Sequence, residues 1–394
     1  MNILCYRYGS IVEPDIIDGF KELGNQVSEI CLEIYNKNTT PLEGLTALKD
    51  ELMRHSYDFV FSINFYPFIA EVCNIFQIRY LCLTVDAPVL ELFSNSIRLP
   101  WNRIFLFDRA QYEDFHPLNP ECIFHLPLAG NPARYAPVIR SATPDLIRKY
   151  SADISFVGSL YTEKCPYDRL NNPPAYLTGY LNGLMEAQLK VYGYYFIEEL
   201  LPDAIIEEFK SHMDHFYTYP METFLTDRKT LAQLYIGSKI TAIERIRTFD
   251  LLSRNFHVDL YTGSDTSILP HIHNRGLAKT LTEMPIIFHE SKININTTSR
   301  SIRSGLPLRI FDILGCGGFV LSNYQPELPE LFTPGEELVT YSSPEELKEL
   351  VAYYLEHDKE RKEIAHNGFE KVKTHYTYPI RLEQMLRFAF QINT

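Results

Sequence analysis

Positive charge is scarce in this chain: over 394 residues, 37 Lys plus Arg face 50 Asp plus Glu, a formal net charge of −13. That balance disfavours electrostatic attraction to nucleic acid or to an anionic membrane surface, so no nucleic-acid partner is expected. Long apolar runs are missing too. No segment approaches the roughly 20 apolar residues that cross a bilayer. The opening Met1–Gly9 has no long apolar core of the signal-peptide kind, and a cytoplasmic location is expected. The seven cysteines are odd in number and never come in close Cys-x-x-Cys spacing. They read as free thiols, several of them buried, with neither a disulfide framework nor a zinc site indicated. Low-complexity tracts and internal repeats are absent, as is any Asp-x-Asp.

What is present is a globular composition, 45% hydrophobic and 22% charged, in a chain long enough for two domains with full cores. The 26 Tyr and 25 Phe make it aromatic; most should pack in cores, although a sugar-handling protein also stacks aromatics on its ligand.

Residues 293–322 organise the rest. Ile293 and Ile295 alternate as a strand, which stops in a loop of Asn, Thr, Ser and Arg rich in hydrogen-bond donors. A helix follows from about Pro307, suited to a first helical turn, and the Gly315–Gly318 cluster can end it with positive φ. Phe319–Leu321 reads as a buried strand. Within the helix Ile310, Phe311 and Leu314 share one face, while Arg309 and Asp312, three apart, share another. The loop and helix start of such a strand–loop–helix–strand unit lie at the carboxyl edge of a parallel sheet, where anionic ligands bind. Arg309 would face a phosphate and Asp312 a pair of sugar hydroxyls; alternatively the two are an ordinary i,i+3 ion pair.

Upstream, short apolar strands alternate with helices: Asn2–Tyr6, Val27–Leu32, Tyr57–Asn64, Arg79–Val85, Trp101–Asp108 and Cys122–Leu126 are the expected strands of a doubly wound parallel sheet. Asn64 ends one of them. Asp86 ends the next, before Pro88, where it can accept a proton from an incoming hydroxyl or act as a helix N-cap. Asp108 ends the fifth. His125 could be a base in the cleft, although a lone His in an apolar strand is more often a hydrogen-bonded structural residue. A linker is expected at 137–151. After it Asp153–Gly158 reads as the first strand of a second domain, ending in Gly158 and Ser159, small residues that let an N–H approach a phosphate or simply make a turn. Residues 161–256 change to long amphipathic helices, an insertion suited to acceptor recognition or to an oligomer contact. His257–Tyr261 is a further strand, with Tyr261 and Gly263 at its carboxyl end. Gly276–Lys279 is expected as a short strand and Glu283–Pro285 as a loop for a nucleobase. His271 and His273 alternate without an evident carboxylate partner, and no metal site is expected.

The block Gly305-x-Pro-x-Arg309-x-Phe311-Asp312-x3-Cys-Gly-Gly-x-Val-x-Ser, with Phe332-x2-Gly335-Glu336-Glu337 and His375-x2-Tyr378-x2-Arg381 after it, resembles the C-terminal domain of CgeB-like, spore-maturation type glycosyltransferases. The run Ser62-x-Asn64, Asp86-x-Pro88, Phe107-Asp108-Arg109 and His125–Asn131 resembles the amino-terminal domain that accompanies it. The resemblance implies the α/β GT-B architecture, two Rossmann-like domains facing across a cleft, here with the helical insertion in the second. It places an acceptor-side domain at 1–136 and a nucleotide-sugar domain at 152–375, and implies that 376–394 return to the first domain, with Tyr378 and Arg381 bracing the hinge.

The resemblance implies a metal-independent transferase, needing no cofactor, that moves a sugar from a nucleotide-diphosphate donor to a glycan, protein or small-molecule acceptor not identified by the sequence, with a bacterial surface glycan as the setting the family suggests. N–H groups at Gly158 and at Ser304–Gly305, with Arg309, would stabilise the leaving diphosphate, and Asp312 would bind the ribose. The family usually has Glu at the position of Asp312, and Ser304 stands where many retaining enzymes carry a second carboxylate, so retention and inversion both stay open. If the reaction inverts, Asp86 is the first candidate base. A sugar-nucleotide epimerase and a catalytically silent scaffold are the alternatives.

Overall fold

The structure, a computed structural model, describes residues 1–163, 165–220 and 222–391. Lys164 and Met221 of the expected insertion, and residues 392–394 of the expected last segment, lie outside them. The chain forms two compact units. Unit 1 comprises Met1–Ala129 with Tyr219–Leu225 and the chain from Tyr376 on; unit 2 comprises Gly130–Thr218 and Thr226–His375.

Unit 1 is built on a six-stranded sheet of β1 (Asn2–Tyr6), β2 (Gln26–Ile30), β3 (Phe59–Ile63), β4 (Arg79–Leu83), β5 (Asn102–Leu106) and β6 (Ile123–His125), ordered β2-β1-β3-β4-β5-β6 with every pairing parallel. Helices on both faces require the inner strands to be apolar throughout, and β3, Phe-Val-Phe-Ser-Ile, is buried at all five positions. The edge strand β2, Gln-Val-Ser-Glu-Ile, is mostly exposed. Ile63 pairs with Leu83, so β3 and β4 end level and the residues after them become neighbours. The last helix, Tyr378–Phe390, packs on Glu13–Glu22, where a Cβ on Gly19 would come within 2.8 Å of Leu382. Arg381 donates to the Leu128 carbonyl and lies over the Tyr376 ring. Phe224 packs on Phe93 and Phe115.

Unit 2 has a second six-stranded parallel sheet: β7 (Ala152–Val157), β8 (Val258–Tyr261), β9 (His273–Asn274), β10 (Ser291–Asn296), β11 (Val320–Asn323) and β12 (Val339–Tyr341), in the order β12-β11-β10-β7-β8-β9. Its core includes Ile154, Phe156, Phe249, Leu260, Ile293, Ile295 and Leu321. The stretch between β7 and β8 contributes helices Ala175–Leu189 and Asp203–Ser211 and a π-helical turn, Thr230–Ile236, running into helix Gly237–Ser253. Leu181, Phe209, Tyr235 and Ile240 give these helices a core of their own. Among the described residues no helix is long and apolar enough to cross a membrane.

Three expectations change. Residues 137–151 are not a linker: they fall in helices Pro132–Arg140 and Pro144–Tyr150, and the units divide between Ala129 and Gly130. Of the two prolines that suggested a linker, Pro144 opens the first turn of its helix, where proline is favoured, and Pro137 lies inside helix Pro132–Arg140. Gly276–Lys279 is not a strand; the edge strand is β9, which begins three residues earlier at His273, and Gly276 has φ +74°. The expected loop at Glu283–Pro285 opens helix Met284–Glu290, with Pro285 again in the first turn.

Candidate functional site

In a parallel sheet the loops after the strands share one edge. In unit 2 these are 158–163 after β7, 262–264 after β8, 297–305 after β10 and the residues after β11. A network ties them together. Leu160 N–H donates to Ser264 Oγ (2.8 Å), which donates to Glu163 Oε2 (2.7 Å), while Ser159 Oγ donates to Glu163 Oε1 (2.7 Å). Thr298 N–H donates to Asn323 Oδ1 (2.8 Å), and Ser304 Oγ to Glu327 Oε1 (2.8 Å).

Arg245, on helix Gly237–Ser253, bridges the two principal loops. Its Nη1 donates to the Ser159 carbonyl (2.5 Å) and its Nη2 to the Thr297 carbonyl (2.7 Å). The guanidinium lies 4.8 Å from the Tyr161 ring centroid and 5.4 Å from that of Phe156. Burial depresses its pKa from the usual guanidinium value. Arg245 Nε and Thr297 Oγ1 are both buried without a hydrogen-bond partner, unusual for native polar groups and a mark of a place where a polar ligand would supply one. Tyr161 holds φ +67°, with its N–H on Ser159 Oγ (2.7 Å); a bulky residue in that region marks local strain. Gly158 admits no ordinary side chain unless Phe156 moves, since an added Cβ would lie 3.0 Å from that ring. A buried bidentate pair, Arg300 with Glu244 (2.7 Å for each bond), anchors the middle of the 297–305 loop, and Arg300 N–H donates to Thr241 Oγ1.

Arg309 and Asp312 form the i,i+3 ion pair at 3.5 Å, and their further partners lie on neighbouring helices. Asp312, 7% exposed, accepts from the Tyr135 hydroxyl (2.7 Å) on helix Pro132–Arg140. Arg309 Nη1 meets Met284 Sδ (2.7 Å), and its guanidinium covers the Phe288 ring at 5.2 Å. The helix Leu308–Gly315 thus turns its charged face to packed helices, and ends with Gly317 at φ +74°. Tyr261, at the end of β8, has its hydroxyl buried and unpartnered, and burial pushes its pKa up to about 12. Gly263 beside it faces the Leu277 side chain. A cavity of about 330 Å³ lined by Ile139, Arg140, His289, Cys316, Lys362 and Phe369 lies at the opposite edge, by the amino ends of β10 and β11, and touches none of these loops.

In unit 1, the level ends of β3 and β4 bring Asn64 and Asp86 together. Asn64 Nδ2 donates to Asp86 Oδ2 (2.8 Å) and to the Tyr8 hydroxyl (3.3 Å), and its Oδ1 accepts from Val85 N–H (3.0 Å). Asn64 adopts φ +58°, which asparagine tolerates better than most residues. Asp86 is exposed and is no helix cap: the nearest turn, Leu90–Phe93, starts from Val89 without a side-chain cap. Asp108, by contrast, caps helix Arg109–Phe115 by accepting from Ala110 N–H (3.0 Å), and His125 sits at the end of β6 with its ring 6.1 Å from Tyr112.

Arg245, Thr297, Glu163 and Tyr8 were not singled out from the sequence. Arg245 lies within a segment whose helical periodicity accounts for its residues, so nothing local distinguishes it from the exposed Arg247 of the same helix.

Residues 239–387 match the model of a family described as glycosyl transferase-like. No curated protein sequence matches the chain. Among solved structures, Anabaena Alr3699/HepE in complex with UDP-glucose is similar at TM-score 0.57 and 12% identity, over 100% of both chains. A glycosyltransferase from Rickettsia africae ESF-5 is similar at TM-score 0.56 and 11% identity, over 99% of this chain and 98% of the other. The sucrose-phosphate synthase of Thermosynechococcus elongatus is similar at 0.53 and 11%, over 99% of both. The fold is GT-B: two α/β units, each on a parallel six-stranded sheet.

Proposed function

We propose that the chain is a glycosyltransferase whose unit 2 binds a nucleotide-diphosphate sugar and whose unit 1 presents the acceptor. The observation that carries this reading is the Arg245 bridge between the loops after β7 and β10, beside a buried Arg245 Nε and Thr297 hydroxyl that lack partners. The glycosyl transferase-like match over 239–387 includes Arg245 and the second loop. A diphosphate at these loops would receive N–H groups from Ser159, Ser304 and Gly305 and the field of Arg245; the Gly158 N–H, expected from the sequence to serve here, instead donates to the Tyr261 carbonyl (3.1 Å) as a continuation of the β7–β8 ladder. Such fixed donors stabilise charge developing on a leaving group, and the reading assigns no metal to the step. HepE is seen with UDP and with UDP-glucose, which makes a uridine diphosphate sugar the first donor to try.

Arg309 and Asp312 hold packing partners, so a direct role on the phosphate and ribose requires their pair to open. The proposal gives them the task of setting the loop–helix junction, with Asp312 reaching the ribose only if donor binding displaces Tyr135. Asp86, exposed and held by Asn64, is the proposed base for an acceptor hydroxyl. The CgeB-like subtype and a surface-glycan acceptor rest on the sequence resemblance, and a cytoplasmic site of action on the composition of the chain.

Thermal stability against UDP-, GDP-, ADP- and dTDP-sugars tests the donor site. A ligand at about a hundred times its dissociation constant stabilises by roughly 2.7 kcal/mol. One nucleotide series should stabilise the parent and lose its effect in Arg245→Met. Asp312→Ala should lower the parent melting temperature whether or not nucleotide is present. No shift with any nucleotide would favour the scaffold reading.

A further inference from the structure

His257 and Asp259 are two residues apart at the start of β8, and successive side chains of an extended strand alternate faces, so these two share one. His273 is the register partner of Asp259 across the parallel β8–β9 ladder. Three donor groups of metal-ligating type therefore converge on one face at the sheet edge. His257 Nε2 lies 3.3 Å and His273 Nδ1 2.7 Å from the same oxygen, Asp259 Oδ1, and all three atoms fall within 4.8 Å of one another. The imidazole centroids are 5.7 Å apart.

We propose that His257, Asp259 and His273 form a binding site for a divalent cation of the zinc class. Two imidazoles and a carboxylate suit zinc, whereas magnesium and calcium prefer all-oxygen sets. Bonds of about 2.0–2.1 Å around a tetrahedral ion put its ligand atoms about 3.3 Å apart. The His257–Asp259 separation already matches, and the His273–Asp259 hydrogen bond needs to open by roughly half an ångström. Both imidazoles bind as neutral ligands through a nitrogen that carries no proton, so the ring N–H of each stands on the nitrogen turned away from the ion. The second carboxylate oxygen faces Arg275 Nη1 at 3.7 Å, and Arg275 is itself held by the Lys149 carbonyl. That guanidinium orients Asp259, the outer-partner role that ligating carboxylates use. Asp259 is 2% exposed, while the histidine side chains are 64% and 50% exposed, leaving the fourth position to solvent.

The site lies at the amino end of β8, and the proposed donor loops follow its carboxyl end at Tyr261. The ion would staple the short edge strand β9 to β8 and would not enter the transfer reaction. The inference does not depend on the transferase reading.

The test is a zinc chloride titration of the full chain by calorimetry, with His257→Ala, His273→Ala and the double variant. Both residues are exposed, so the variants should fold, which circular dichroism checks. Expected are one saturable zinc per parent chain, a loss of at least about tenfold in affinity in each single variant, no competition by magnesium chloride, and a zinc-dependent rise in melting temperature in the parent alone. A parent without saturable zinc binding would overturn the proposal, and so would a double variant that binds zinc as the parent does.

Discussion

Replacing Arg245 by Met keeps most of the side-chain volume over Tyr161 and Phe156 and removes both donations across the loops. The Ser159 and Thr297 carbonyls each lose a bond to a charged group, worth about 1.5–3 kcal/mol apiece. Against that loss stands the relief of a buried charge, whose strain shows in the lowered pKa of the guanidinium. The net expectation is a destabilisation of about 2–4 kcal/mol, a large share of a typical folding free energy. Arg245→Lys should recover at most half of it, because one ammonium cannot bridge both carbonyls. Urea unfolding followed by circular dichroism gives the stability, and titration with the stabilising nucleotide gives the donor affinity, which should fall at least tenfold. An Arg245→Met protein that unfolds at the parental urea concentration and binds nucleotide with parental affinity would refute both the bridge and its role.

The Glu244–Arg300 pair is buried on both sides, at 6% and 8% side-chain exposure, so Glu244→Gln leaves a guanidinium charge inside the protein and should lower stability by about 3–5 kcal/mol in the same urea assay. Tyr261→Phe removes a buried hydroxyl without a partner and should leave the protein as stable as the parent or up to about 1 kcal/mol more so. Because the folded Tyr261 pKa is raised to about 12, its contribution is fully present below the unfolded phenol value of about 10 and is lost as pH rises through 12. Melting temperature should therefore fall less steeply above pH 10 in Tyr261→Phe than in the parent; equal slopes would contradict this. Asp86→Asn should lower transfer by about 100-fold or more with donor binding unchanged, and parental turnover would remove Asp86 from the chemistry.

Strand periodicity and turn residues were enough to read two parallel sheets, because buried parallel strands such as β3 are short apolar runs bounded by polar residues, and β10 shows its strand period in the alternation of Ile293 and Ile295 with asparagines. The Asn64–Asp86 contact followed from two strand ends whose register happens to be level, which the pattern could suggest but not fix. Arg309 and Asp312 show the opposite case: spacing placed them on one helix face, yet only packing reveals that helices Pro132–Arg140 and Met284–Glu290 cover that face. Tyr135, the hydroxyl on Asp312, is 177 residues away in sequence. Arg245 and the His257–Asp259–His273 cluster depend on contacts between segments that no local spacing relates. The carboxylate partner that His273 lacked in sequence is supplied by strand pairing.

The central claim is transfer of a sugar from a nucleotide donor. Its most direct test incubates the chain with the nucleotide sugar that stabilises it, with and without candidate acceptors, and identifies the products by mass spectrometry. The account predicts release of the free nucleoside diphosphate, with the sugar on an acceptor or, in its absence, on water at a slower rate, and a strong reduction in Arg245→Met. An altered sugar still attached to its nucleotide would indicate an epimerase, and bound but unchanged donor a silent scaffold; either result contradicts the claim.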